Sequence, residues 1–473
     1  MEHQSFFTNL SPLDHRYYLA NRELFDKLKE FLSEEASIRY CVRVEAALLR
    51  ALVRRKLKNS ERILQQLETL EASVTPDEVY REEENTQHNI RALVHVIKKY
   101  VPEEVSPLVH LGATSVDILD TSRSMRIRDA VQEVLIPLLS EVESLLIAGT
   151  KKEAETLQVG RTHGQHAVPI TFGFALAEYV SRLGKTLPRI RELSGDLRGK
   201  LSGAVGAYNA TSVLVEDPEA LEREVLDELG LKPSDHSTQL VEPEHVLRLL
   251  LEIQTAFGVL ANLADDLRHL QRSEIDEVRE MFSEQQVGSS TMPQKRNPWN
   301  SEHVKSLWKT ATPMIMTAYM DQISEHQRDL TNSASSRFVS EYLALFAAAL
   351  NRMKKILSSL KVHHEGLKKN LSGTGDFILA EAAYIVLAAE GEKDAHEIIR
   401  RATGRCRDEG ISLTQALKDL PAVWSLLEKG LMKTRRMDAD TFFSNPAHYT
   451  GLARKKADDL AAYYEHSISA KEA

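Results

Sequence analysis

The chain has 473 residues, a formal net charge of −9 at pH 7, 42% hydrophobic and 27% charged residues. That length asks for two or three domains, and the acidic balance argues against nucleic acid held on a broadly basic surface. The two cysteines, Cys41 and Cys406, show neither Cys-x-x-Cys spacing nor a Cys/His cluster, so neither a zinc centre nor a disulfide framework is expected.

The opening MEHQSFFTNL does not read as a signal peptide, and no apolar run approaches the length of a membrane span. A cytoplasmic protein with no membrane partner is the expectation. Helical periodicity appears in NRELFDKLKEFL and CVRVEAALLRALVRRKL, which makes residues 1–110 an N-terminal helical domain. Pro102, Pro107 and Gly112 then break the pattern. From Glu244 to Phe282 there is no proline and one glycine, Gly258. Apolar residues recur at Val246, Leu249, Ile253, Phe257, Leu260, Leu263, Leu267 and Leu270. Spacings of three and four predict one continuous helix, roughly 60 Å long at ~1.5 Å per residue. Similar patterns cover 118–158, 171–200 and 301–328. Matched long helices imply a central bundle over 111–358, and their wide apolar faces point to oligomerisation. Shorter helices separated by SGTGD, DEGIS and SNPAHYTG make 359–473 a third helical domain. No strand-rich segment or internal repeat is evident, so the fold class is all-α.

Three loops place reactive residues at helix boundaries. They are HLGATSVD (His110–Asp117), GRTHGQHAVPITFG (Gly160–Gly173) and GSSTMPQKRNP (Gly288–Pro298). In the third, Gly288 permits unusual backbone angles, and the amides of Ser289 and Ser290 can form an anion nest. Lys295 supplies a movable charge and Asn297 both a donor and an acceptor. Together they describe a carboxylate receptor containing a hydroxyl; a polar surface loop has the same composition. His163 and His166 sit among Gly160, Gly164 and Pro169, where a histidine is either catalytic or structural. His88, in EENTQHNIRALV, falls on a helix face. RDLTNSASSR, from Arg328 to Arg337, suits a phosphate through charge-assisted hydrogen bonds, or else is a solvated linker. No GxGxxG after a strand, GxxxxGK[ST], HExxH or GxSxG is present, so the chemistry is expected from side chains alone, with no cofactor and no metal.

Taken in order, these three loops resemble the active-site segments of the fumarase/aspartase lyases, and the likeness extends over nearly the whole chain. That resemblance implies three helical domains, a central long-helix bundle, and a homotetramer with active sites shared between subunits. Within the superfamily the chain is most similar to the adenylosuccinate lyase family. SPLDHRYY resembles its N-terminal Arg-Tyr element, here Arg16 and Tyr17. TQHN resembles its second-histidine segment, which brings in His88 and Asn89, and STQ supplies Gln239. RDLTNSASSR matches its phosphate segment through Arg328, Ser333 and Arg337.

The resemblance implies elimination of fumarate from adenylosuccinate to give AMP, and from SAICAR to give AICAR. By the same likeness Ser289 is the general base, His163 the general acid and Glu302 the carboxylate that orients it. Lys295, Asn297 and the loop amides, Ser290 included, stabilise the dianion, and Thr114 and Ser115 hold a carboxylate. Closure of the signature loop over substrate would bring Ser289 to the proton. Four positions depart from the common family pattern: Asn89 for aspartate, Gln294 for histidine or tyrosine, His303 for asparagine and Gln327 for glutamate. Argininosuccinate lyase, which shares MPQK, and cycloisomerase relatives, which share GSSTMP, are the rival readings inside the superfamily. A catalytically silent structural protein of the same fold is the rival outside it.

Overall fold

The computed structural model describes residues 6–58, 60–282 and 290–469. It forms two compact units, one of residues 1–141, 185–261 and 303–352, the other of residues 142–184, 262–302 and 353–473. The protein is helical apart from three two-stranded sheets among the described residues.

The first unit is built around the Glu34–Lys56 helix. Ser33 caps it by accepting from the Ala36 N–H at 3.1 Å, and Arg54, Arg55 and Lys56 in its last turn complement its dipole. Val42, Leu48 and Leu52 from this helix cluster with Leu93, Ile97, Ile118, Met125 and Val225. Buried apolar residues nearly all round explain why the helix lies inside the unit rather than on its surface. Cys41 is buried here, 3.3 Å from the Ser122 hydroxyl, and burial pushes its thiol up to about 11, which leaves it a packing residue.

The long patterns are interrupted where backbone chemistry requires it. The 118–158 stretch forms Ser115–Ala130 and Ile136–Lys152, separated by a wider π turn at Val131–Leu135. Pro137 lacks an N–H and its ring crowds the carbonyl four residues earlier. The wide turn absorbs that conflict, with Ile136 N–H bonding to Val131 O. The 171–200 and 301–328 patterns become Phe172–Gly195 and Trp299–Met320.

Three expectations need correction. The 244–282 stripe ends at Leu270, giving a helix of 27 residues, roughly 40 Å long. Beyond it Asp276 takes a positive φ of 49°, and Val278–Arg279 pairs antiparallel with Lys361–Val362. Lack of proline and glycine permits a helix without enforcing one. The second correction is a β-hairpin, Leu157–Thr162 with Gln165–Thr171, inside the second of the reactive segments. The expectation of no span-length apolar run is also amended. Glu244–Leu270 and the stretch His364–Ala389 are long and apolar enough by composition, and the window in the first is 56% buried within the protein, as a core helix is.

The second unit has its own core. Leu379, Leu387, Leu413, Leu417, Leu427 and Phe442 cluster there. The Asp376 carboxylate caps the Leu413–Lys418 helix, accepting from Leu413 N–H at 2.8 Å and Thr414 N–H at 2.7 Å. Gly173 follows the hairpin so closely against the preceding helix that a Cβ there would lie 2.5 Å from Thr150 O, so no side chain fits.

Glu143, on the Ile136–Lys152 helix, is fully buried, and neither carboxylate oxygen has a hydrogen-bond partner among the described residues. Burial pushes its pKa up from 4.5 to about 9. The folded protein therefore keeps a proton that the unfolded chain releases, and stability falls as pH rises through that window. Glu143→Gln is expected to melt higher than the parent, with the gain growing from about pH 5 to about pH 8. A constant difference in Tm across that range would contradict a neutral buried acid.

Candidate active site

The first unit holds most of the residues proposed to bind substrate. At HLGATSVD the chain turns through His110, φ 62°, and Gly112, φ 86°. His110 Nδ1 lies 2.6 Å from Oε1 of the buried Glu45. Burial opposes its charged form, but the Glu45 hydrogen bond and the charges of Glu45 and Asp117 outweigh this and raise its pKa. Thr114 donates its N–H to Asp117 Oδ2 at 2.8 Å, which starts the Ser115–Ala130 helix. Asp117 is fully buried and ion-paired with the equally buried Lys200. Lys200 also donates to Gly203 O at 3.1 Å, and Gly203 N–H donates to Asp117 Oδ1 at 3.3 Å. A fully engaged buried pair holds this end of the helix rigidly. Thr114 and Ser115 are half-buried at that N-terminus, where the helix dipole favours a carboxylate.

His88 is exposed and forms the N-cap of the Asn89–Tyr100 helix, after Gln87 ends the previous helix at φ 52°. Its Nδ1 accepts from Arg91 N–H at 3.3 Å, which leaves the ring proton on Nε2. Asn89 Oδ1 accepts from Ile90 N–H at 2.8 Å. The structure thus gives Asn89 a helix-capping task that needs no charge.

Gln239 and the phosphate segment lie together, with Gln239 N–H bonding to Gln327 O at 3.3 Å. Val241 N–H donates to Asp120 Oδ2 at 3.1 Å. Asp120 in turn feels the charges of Arg123 and Arg328, and burial outweighs them to raise its pKa. Arg328 Nε donates to Asp329 O at 2.6 Å. Ser333 follows in the turn, with its N–H on Leu330 O at 3.0 Å. Arg337 is exposed and close enough to Tyr80 to act on its ionisation. Arg16 is exposed, whereas half-buried Tyr17 places its ring 5.7 Å from that of His303. Burial, with Arg352 and Arg16, lowers the His303 pKa. His303, a departure from the family pattern, is therefore a neutral ring supporting Tyr17.

The second unit holds the residues proposed for proton transfer. His163 and Gly164 form the two-residue turn of the β-hairpin, with φ of 54° and 73°. Two consecutive positive φ values are those of a type I′ turn, which matches strand twist and suits glycine at its second place. His163 is exposed at that tip. Gly288 and Ser289 of the signature loop lie outside the described residues. Ser290 and Lys295 are exposed and Asn297 is half-buried. Lys295 N–H closes a turn on Met292 O at 3.0 Å. Where this loop joins the Trp299–Met320 helix, the buried Glu280 carboxylate caps the helix. It accepts from Asn300 N–H at 3.2 Å, Ser301 N–H at 3.0 Å and Ser301 Oγ at 2.6 Å. Glu302, in the first turn, is exposed and its N–H bonds to Pro298 O at 3.1 Å.

Sequence reasoning missed Glu280, Lys200 and the pair formed by Arg161 and Glu277. Arg161 and Asp117 lay inside the quoted segments. Their partners are 116 and 83 residues away, and no local pattern links them. No group of three or more His, Cys, Asp or Glu suited to a metal occurs among the described residues.

A family model described as Lyase matches residues 16–311, and one described as Adenylosuccinate lyase C-terminal matches residues 324–436. The adenylosuccinate lyase of Pyrococcus abyssi is 33% identical over 463 residues, covering 96% of this chain and 98% of its own length. That of Archaeoglobus fulgidus is 33% identical over 458 residues, with the same coverage. Among solved structures, a fumarate lyase from Mesorhizobium sp. BNC1 aligns with a TM-score of 0.80 at 25% identity, over 92% of this chain and 97% of that one. The 3-carboxy-cis,cis-muconate lactonizing enzyme from Pseudomonas putida shares the fold, with a TM-score of 0.80 at 24% identity over 97% of this chain and 100% of that one.

Proposed function

The chain belongs to the adenylosuccinate lyase family and is a fumarate-releasing carbon–nitrogen lyase, and from that premise we propose how its side chains divide the work. The reaction eliminates fumarate from adenylosuccinate to give AMP, and from SAICAR to give AICAR. The observation that supports the nucleotide reading most is the C-terminal family match over 324–436, which contains Arg328, Ser333 and Arg337. Parallel assays with adenylosuccinate, SAICAR and argininosuccinate, with released fumarate quantified, test the reading. Release from argininosuccinate alone would overturn it.

The hard step is removal of a proton from carbon beside a carboxylate, a very weak acid whose conjugate base is an aci-carboxylate dianion. Ser289 takes that proton. Lys295, Asn297 and the amides around Ser290 supply fixed positive potential where the charge develops. The same potential favours the Ser289 alkoxide. His163 delivers a proton to the departing nitrogen, and Glu302 orients it. Thr114 and Ser115 hold a carboxylate at the start of their helix. Arg16, Tyr17, His88, Asn89 and Gln239 position the nucleotide, and Arg328, Ser333 and Arg337 bind its phosphate.

The binding residues lie in segments of the first unit and the proton-transfer residues in segments of the second. We take the protein to be a cytoplasmic homotetramer with active sites shared between subunits, each chain divided into helical domains 1–110, 111–358 and 359–473. The long-helix stripe does not carry the case for assembly, since most of its apolar residues are buried in one chain, with Val246 and Leu270 half-buried and Leu251 39% exposed. Better support comes from Met316, Tyr319, Met320 and Ile323, which together leave an exposed apolar run at the end of the Trp299–Met320 helix. No cofactor is needed for this chemistry, and neither nucleic acid nor membrane is a partner in it.

Arg337→Ala is expected to raise KM for adenylosuccinate about 10- to 100-fold, the worth of a lost charge-assisted hydrogen bond. It should change kcat far less, because the phosphate is remote from the reacting bond. The phosphate-free nucleoside analogue should be turned over equally by parent and variant. An equal loss on both substrates would remove Arg337 from phosphate binding.

A further inference from the structure

Below the His163–Gly164 turn, Arg161 and His166 face each other in register across the hairpin. Both are held by a single hydrogen-bonded chain. Arg161 Nη2 donates to Glu277 Oε1 at 2.6 Å and Nη1 to Oε2 at 3.1 Å. Glu277 is fully buried and also accepts from Gln158 Nε2 at 2.7 Å and Asn370 Nδ2 at 2.8 Å. From Asn370 the chain returns to the hairpin. Thr374 Oγ1 donates to Asn370 O at 3.2 Å and lies 2.6 Å from His166 Nδ1. The one Thr374 hydroxyl proton is spent on Asn370, so its oxygen accepts from a protonated His166 Nδ1. Burial, then the Arg161 charge, lowers the His166 pKa, which agrees with a neutral ring whose single proton is on Nδ1.

We infer that Glu277, Asn370 and Thr374 form a clamp that fixes both strands of the hairpin just below its tip and so positions His163 for proton delivery. The inference rests on the reading of His163 as the general acid. The geometry supports a positioning device rather than generic packing. The bonds are directional, Arg161 with its bidentate fork and Glu277 with four donors in all. They grip Arg161 and His166, the register pair one step before the last at the turn, where a small tilt is magnified at the tip. Asn370 Nδ2 also donates to Ile275 O at 2.7 Å, and His363 N–H to Glu277 O at 2.8 Å, so the acceptor is itself held on two sides. None of these residues touches substrate in the proposed mechanism; each acts through His163.

The test uses the full-length enzyme with adenylosuccinate. Thr374→Val removes the hydroxyl but keeps the shape, and Thr374→Ser keeps the hydroxyl. Thr374→Val is expected to lower kcat about tenfold with KM within about twofold, since a misplaced acid affects the transition state more than binding. Thr374→Ser should keep most of the activity. Glu277→Gln should lower kcat about a hundredfold; where it fails to fold, the threonine pair carries the test. In a His163→Gln background, Thr374→Val should cost nothing more, because both act on one step. A further loss there equal to that in the parent would overturn the clamp, as would full kcat in Thr374→Val. If His163→Gln itself kept normal turnover, the acid assignment would fall first and take the clamp's purpose with it.

Discussion

Ser289→Ala is expected to lower kcat for adenylosuccinate by about a thousandfold, the middle of the range for removing a general base. The proton leaves the carbon next to the nitrogen-bearing one, itself beside a carboxylate, and is so weakly acidic that no background route through water replaces the lost base. Binding should be almost untouched, because the substitution removes one hydroxyl and retains the loop amides, Lys295 and the phosphate contacts; KM should stay within about threefold. The neighbouring Ser290, exposed on the same loop, offers the internal control. Ser290→Ala should lose much less, since its proposed contribution comes from the backbone N–H, which the substitution retains. Steady-state kinetics on both variants decide between the two hydroxyls. A Ser289→Ala enzyme with most of its turnover, beside a dead Ser290→Ala, would move the base one residue along the chain.

His163→Gln is the second large loss, expected at about 10²–10⁴-fold in kcat. Glutamine keeps the length and a hydrogen-bond donor but cannot hand a proton to the leaving nitrogen. The backbone complicates the reading, because His163 sits at φ 54°, where most side chains are strained. His163→Asn provides the control. Asparagine tolerates that conformation well and is equally unable to act as an acid. Similar losses in the two variants, with unchanged circular dichroism and assembly, would assign the effect to chemistry. A near-normal rate for His163→Asn would show that the turn, not the imidazole, was what mattered.

What could be read from the residues alone follows the range of the interactions involved. The helical class and the three reactive segments are local properties, visible as spacing or composition over about a dozen residues. The end of the long helix at Leu270 was not visible in that way. No proline or glycine marks it. The chain leaves the helix because Glu277 is drawn to Arg161 and Val278 to Val362, partners far away in sequence. The hairpin did leave a local signal. Thr162-His163-Gly164-Gln165 puts glycine at the second turn position, with Val168, Ile170 and Thr171 after it, a β-branched run typical of a strand. A search for long helical periods passes over it.

The candidate site divides along the same line. Most of its proposed members were named from motifs, yet their supports were not. Lys200 beneath Asp117, Glu280 at the start of the Glu302 helix and His303 against Tyr17 are contacts of the folded chain. His303 shows how a departure from a family pattern is absorbed. Burial and two arginines favour its uncharged form, and its neutral ring packs against that of Tyr17. Asn89, the other notable departure, spends its carbonyl on the Ile90 amide, a task for which aspartate and asparagine serve alike.

Purified protein mixed with adenylosuccinate and followed by its ultraviolet spectrum, with AMP and fumarate separated by chromatography, shows whether the chain is a nucleotide lyase. Adenylosuccinate should disappear with AMP and fumarate formed in equal amounts, and Ser289→Ala should be nearly silent under the same conditions. A folded protein that leaves adenylosuccinate unchanged would contradict the nucleotide lyase assignment.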